Sequence, residues 1–236
     1  MSQQTATQKS RQVSILGQSQ DDVASLLGFN PLESSRLVTA TITAIGDDVA
    51  LASIQEAPGK TALIPISEFY PNKKWVRGGK YILQELDNSA RPVLSAVRPE
   101  MIELLLAGVT PEIRTGAVRI MAAARVVGIR SKIAVAATVT GVDPVAACLG
   151  RGANRVSWLR SQLQGERVDV VAYSSDPEVF IRNVFSSTTV IECSISGSHA
   201  EIVVPSHNLD AAIGGGGLNQ LLASRLTGLS ISVRAE

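Results

Sequence analysis

The chain has little cysteine, little histidine, few aromatic residues and almost no net charge. Its two cysteines, Cys148 and Cys193, lie far apart with no CxxC spacing. That argues against a disulfide framework or a thiolate metal site and reads as two buried thiols in a reducing, cytoplasmic compartment. His199 and His207 are the only histidines and share no ligand spacing with Asp or Cys, so each reads as a strand-end or surface residue and no metal is expected. No GxSxG, Walker A or HExxH pattern occurs, and neither enzymatic activity, a cofactor nor a small-molecule substrate is expected. No apolar run reaches the roughly 18 residues a membrane span needs, so no membrane partner is expected. The first residues hold no apolar stretch of the secretory kind. A net charge of +1 argues against a broadly basic coat but leaves room for a local patch.

What is present is enough apolar material for packed cores. Hydrophobic residues make up 45% of the 236 and charged residues 18%, a globular composition long enough for one large or two to three small domains. The charge is unevenly spread: residues 1–98 carry +1, residues 99–170 carry +3 and residues 171–236 carry −3. Residues 1–34 are rich in Gln, Ser and Thr and read as a flexible tail with one short helix over 21–27, capped by Asp22.

Residues 35–98 read as all-β. Strands are expected over 37–45, 49–54, 62–66, 80–86 and 92–97, with turns at Gly46-Asp47-Asp48 and Pro58-Gly59. Five short strands with a polar insertion suggest a small five-stranded barrel of the OB type, which binds single strands through surface aromatics and basic side chains. The candidates are Phe69, Tyr70, Lys73, Lys74 and Arg77. In a chain with only 4% aromatic residues, the opposing possibility is that Phe69 and Trp75 fill the barrel and the lysines are merely solvated.

The remainder is a tandem repeat. Residues 99–172 read helix, strand, strand, helix, turn, helix, strand, and residues 173–236 read the same order again. AACLGRGAN (146–154) aligns with DAAIGGGGL (210–218), and LQGERVDV with LTGLSISV, the offsets being 64 and 63. Each unit holds a Gly-rich turn between two helices, Gly150-Arg151-Gly152-Ala153 in the first and Gly214-Gly215-Gly216-Gly217 in the second. Asp143 with Pro144, and Asp176 with Pro177, mark helix starts. The order and turns are those of type II KH domains, which hold single-stranded nucleic acid. Glycine permits the tight bend and the close approach of phosphates, and the amides of the following helix face the anion. An isolated GxxG is commonly a plain connector; two in tandem, each in the full element order, favour the functional reading. Arg151, Asn154 and Arg155 at the first turn, Arg130 and Lys132 on a neighbouring strand, and Asn219 at the second complete the candidate RNA-binding set. If the last turn position needs positive φ, Ala153 carries a strain of about 1 kcal/mol. The first turn is expected to carry most phosphate contact, because the second lacks charge and lies in an acidic domain.

The stretches VRPEMIELLLAGVTPEI (97–113), GAVRIMAAARVVGIRSKIAV (116–135), VDPVAACLG (142–150), GERVDVVAYSSDPEVFI (165–181) and AAIGGGGLNQLLASRLTG (211–228) resemble the NusA family of bacterial transcription factors. That family places an S1 barrel directly before two KH domains, and the resemblance covers roughly 35–236. It implies a factor that binds nascent single-stranded RNA and modulates RNA polymerase pausing, termination and antitermination, with the polymerase and other elongation factors as partners. Its turns normally resemble GPKG and GKKG, so GRGA and GGGG lose the lysines. Residues 1–34 are too short for the family's polymerase-docking N-terminal domain, and no acidic repeats follow. The alternative is a non-catalytic protein-interaction scaffold whose KH domains bind RNA weakly or not at all.

Overall fold

In a computed structural model, residues 36–71 and 73–236 are described. The helix expected over 21–27 lies outside them. The first domain is a curled antiparallel sheet of β1 (Arg36–Ile45), β2 (Val49–Ile54), β3 (Ala57–Pro65), β4 (Lys80–Glu85) and β5 (Leu94–Ser95), in the order β3-β2-β1-β4-β5. Its edges meet at one parallel bridge, Leu63 to Val93. Alternation along the strands drives this: Val38, Ala40 and Ile42, then Ala50, Ala52 and Ile54, all face inward and are buried. Two expectations are corrected. The β2–β3 turn is Gln55-Glu56, and Pro58-Gly59 lies inside β3, where Ile54 pairs with Ala57 but Ser53 with Thr61. Gly59, at φ 84, absorbs the irregularity. The last strand shrinks to Leu94–Ser95, pairing only with Gln84 and Glu85.

The second domain runs α1 (Glu100–Val109), α2 (Pro111–Arg114), β6 (Val118–Val126), β7 (Arg130–Ala137), α3 (Pro144–Leu149), α4 (Asn154–Gln162) and β8 (Arg167–Ala172). The third runs α5 (Pro177–Val184), β9 (Glu192–Ser196), β10 (His199–Val204), α6 (Leu209–Ile213), α7 (Leu218–Thr227) and β11 (Ser230–Ala235). Each has a three-stranded sheet whose central strand, β7 or β10, pairs antiparallel with the strand before it and parallel with the last. The first strand of the third domain begins at Glu192.

Two apolar clusters bind the domains together. One joins the curled sheet to α1, α4 and one face of β7, through Leu105, Leu106, Ile133, Val135 and Leu159. The other joins the opposite face of that sheet, at Ala124, Ala134 and Val171, to Phe180, Phe185, Leu222 and Leu226 of the third domain. The middle sheet is therefore covered on both faces. Its alanine-rich strands leave α7 room to lie directly on β6 and β7.

Candidate nucleic-acid interface

The first Gly-rich turn follows a helix whose start is capped. The Asp143 carboxylate accepts from the amides of Val145 at 2.9 Å and Ala146 at 3.0 Å, with Pro144 at the first helical position of α3. The helix stops at Gly150, φ 72 and ψ 175; Gly152 at φ 59 and Ala153 at φ 57 then turn left-handed, and α4 begins. The second turn repeats this path: Gly214 at φ 76 and ψ 157, Gly216 at φ 62 and Gly217 at φ 76. Ala153 does occupy a position of positive φ. At the first position glycine also supplies room: a Cβ on Gly214 would stand 2.8 Å from the backbone nitrogen of Asn219. No side chain caps α4 or α7, so both turns present uncapped amides at a helix N-terminus.

Two candidates prove to be braces of the turns. Arg155 donates through Nη1 to Glu112 Oε2 at 3.0 Å and to the Ala147 carbonyl, tying α4 to α2 and α3. Asn219, at the equivalent place, is 1% exposed and donates through Nδ2 to the Ala212 carbonyl at 3.0 Å. Arg151, Gly152 and Asn154 are exposed, and the Arg151 side chain has no hydrogen bond or ion pair among the described residues.

The charge on the two KH domains is distributed as differently as the turns are alike. Arg114, Arg119, Arg151, Arg160 and Arg167 of the first are exposed and unpaired among the described residues. In the second, Arg182 pairs with Glu178, Arg234 pairs with Glu201, and Arg225 donates to the Arg125 carbonyl. Gly215 and Gly216 are exposed but bring no charge.

Arg130 and Lys132 are not free either. Arg130 Nη2 lies 2.6 Å from Asp169 Oδ2, and Lys132 Nζ lies 3.3 Å from the same oxygen. Lys132 is 2% exposed and donates to the Val184 carbonyl at 3.1 Å, placing its cation at the C-terminal end of α5 in the next domain. Burial pushes its pKa below the usual lysine value, although Asp169 opposes the shift. It joins the two KH domains and faces no solvent.

In the curled sheet, Phe69 is buried at 3% exposure. Its ring packs on Tyr70, Trp75 and Tyr81 at centroid distances of 5.5, 6.0 and 5.1 Å. It is a core residue and offers no stacking face. Tyr70 is buried too, its hydroxyl donating to the Gln162 carbonyl at 3.2 Å, and burial pushes its pKa up to about 12. Lys73, Lys74 and Arg77 are exposed, and their side chains are without partners among the described residues. Both cysteines are free and buried, and burial pushes Cys148 up to about 11.

Residues 97–173 match the NusA-like first KH domain, and residues 177–236 match the NusA-like second KH domain. The chain belongs to the NusA family. It is 35% identical over 189 residues to the transcription termination/antitermination protein NusA of Mycobacterium tuberculosis, covering 77% of this chain and 54% of that protein. Against the NusA of Thermus thermophilus it is 38% identical over 177 residues, 72% of this chain and 46% of the relative. Against that of Bacillus subtilis it is 34% identical over 182 residues, 74% and 49%. The chain thus spans about half the length of the curated relatives it matches. Among the described residues no helix is long and apolar enough to cross a membrane.

The NusA-type body has a buried node that the sequence reading missed. Glu166, fully buried, accepts from Arg125 Nε at 2.9 Å and Nη2 at 3.0 Å, from the Gly128 amide at 2.9 Å, and from the Ser131 hydroxyl. Arg125 Nη1 donates to the Arg98 carbonyl at 2.8 Å, at the exit from the curled sheet. Arg225 of the second KH domain donates to the Arg125 carbonyl at 3.2 Å. One buried ion pair thus touches all three domains. The tight Gln164-Gly165 turn, both residues at positive φ, delivers Glu166 to it and is the signal that could have flagged it.

Proposed function

We propose that this chain is an RNA-binding transcription factor of the NusA type that holds single-stranded RNA mainly across its first KH domain. The observation that carries this is the first turn: a backbone path shared with its repeat, uncapped amides at the start of α4, and the unpaired cation of Arg151 in the bend. The other unpaired arginines of that domain supply a cationic field for a phosphate backbone. Lys73, Lys74 and Arg77 extend it onto the curled sheet. RNA polymerase and elongation factors are the partners that this reading assigns, with the function of modulating pausing, termination and antitermination. The role is binding, with no catalytic step.

The test is fluorescence anisotropy with single-stranded RNA over a salt series, single-stranded DNA serving as control. The expected result is micromolar or tighter RNA binding, with log affinity falling by about 0.7 per phosphate neutralised for each decade of salt. Absence of binding at low salt refutes it and favours a protein-interaction scaffold. One observation favours that second reading for the last domain alone: its turn has the backbone shape but no cation, and each of its arginines is engaged.

A further inference from the structure

The curled sheet bears a cleft of about 400 Å³ whose apolar lining the RNA reading leaves unused, although Lys73 and Lys74 beside it belong to that reading. Its lining includes Ile45, Ile66, Phe69, Trp75, Lys73 and Lys74. Around it the surface is unusually apolar: Ile45 is 47% exposed, Ile66 59%, Val76 58% and Val49 39%. Ile45 and Ile66 line the cleft itself, and Val49 and Val76 stand beside its lining in the chain or the ladder, Val49 opposite Pro65 and Val76 next to Trp75. Exposed apolar side chains gathered around a cleft with a charged rim mark a docking surface. With one carboxylate, Asp47, beside two lysines unpaired among the described residues, the lining is net positive. Branched aliphatics do not stack on bases, and Phe69 and Tyr70 are buried, so the cleft suits an apolar peptide with acidic residues better than a nucleotide.

We propose that this cleft is the docking site of the chain's own residues 21–33. That stretch reads DDVASLLGFNPLE and has the complementary chemistry: Asp21 and Asp22 for the lysines, and Val23, Leu26 and Leu27 at the spacing of one helical face. The lengths agree. β1 carries the chain from Arg36 to Ile45 at the cleft, at most about 30 Å of extended strand. Leu26 and Leu27 precede Arg36 by the same number of residues and reach back over about 30–35 Å. The tail and an RNA strand share Lys73 and Lys74, whereas the apolar contacts of the cleft belong to the tail alone.

The test is site-specific photocrosslinking in the full chain, with benzoylphenylalanine in place of Ile66 and, separately, of Val76. Both positions are exposed, and a thermal melt checks that each variant remains folded. The expected result is an intramolecular cross-link mapping to residues 21–33, independent of protein concentration and reduced at least tenfold by Leu26→Asp/Leu27→Asp. Cross-links to other segments, a yield that rises with protein concentration (a second copy), or products formed only with added RNA overturn the proposal. So does the lack of any cross-link in a folded variant.

Discussion

The two turns offer a paired substitution whose outcome can be worked out in advance. Ala153 and Gly217 are equivalent, with φ 57 and ψ 29 in the first and φ 76 and ψ 12 in the second. A left-handed conformation disfavours a residue with a Cβ by about 1–2 kcal/mol. Replacing glycine with alanine removes unfolded-state entropy and returns about 0.4–1 kcal/mol. The balance is about 0.5–1 kcal/mol in favour of glycine at either position. A Cβ on Gly217 meets nothing within 4 Å, so no contact alters the balance there. Ala153→Gly is therefore expected to stabilise and Gly217→Ala to destabilise by similar amounts, read as opposite shifts of the urea midpoint at constant slope and as about 1–3 °C in Tm. Gly214→Ala is the contrasting control, because its Cβ would meet the Asn219 backbone at 2.8 Å, and its loss should exceed that of Gly217→Ala. If Ala153→Gly destabilises as much as Gly217→Ala, the strain argument fails and the turns are not equivalent.

The remaining predictions address charge. Arg151→Ala should weaken RNA binding severalfold and reduce the salt slope by about 0.7, one phosphate contact, whereas Arg155→Ala should act mainly on stability by releasing α4 from Glu112; equal slope losses in anisotropy titrations would contradict this division. Glu166→Ala leaves the Arg125 guanidinium, 2% exposed, without a counter-charge and should lower unfolding free energy by about 3–5 kcal/mol in urea titrations, while the isosteric apolar double replacement of both residues recovers most of it. Tyr70, pushed up to about 12 by burial, should give an ionisation phase near that pH in a titration followed by ultraviolet absorbance, and Tyr70→Phe should remove that phase. Its folded pKa lies above the unfolded one, so the associated stability is complete below about pH 10 and is lost as pH rises towards 12.

What could be read in advance was whatever the chain encodes locally or repeats. The Asp143-Pro144 and Asp176-Pro177 starts both form side-chain caps, because a carboxylate one residue before a helix meets the free amides whatever surrounds it. The duplication is visible because two stretches 64 residues apart must make the same bend, and only glycine or a strained alanine serves. Lys132, Arg155 and Phe69 could not be placed that way. Lys132 resembles a solvated strand residue until the next domain covers that face of β7. Arg155 stands one turn from the first Gly-rich bend, yet a carboxylate on α2, 43 residues earlier, claims it. Phe69 follows a polar stretch and still becomes the centre of an aromatic cluster, since Tyr81 arrives from β4. A clue to Lys132 was present: the near-continuous IAVAA of β7 signals a strand buried on both faces, and a lysine inside it requires a partner.

The comparison of the two KH domains separates shape from chemistry. Both turns follow one path, so backbone geometry alone cannot explain why one should hold RNA better. The difference lies in where the arginines go. In the first domain the structural ion pairs are made by Arg125, Arg130, Lys132 and Arg155, all buried or half-buried, and the outward arginines remain free for a polyanion. In the second domain each arginine is tied to a carboxylate or a carbonyl, and the domain carries a net charge of −3. Inserting Arg at position 215 by Gly215→Arg restores the missing cation without strain, since that glycine alone of its turn avoids positive φ. If the turn's shape suffices and charge is all that is lacking, the variant should bind RNA more tightly with a salt slope steeper by about 0.7. An unchanged slope would mean that RNA does not pass the second turn, which would confine the RNA track to the first KH domain.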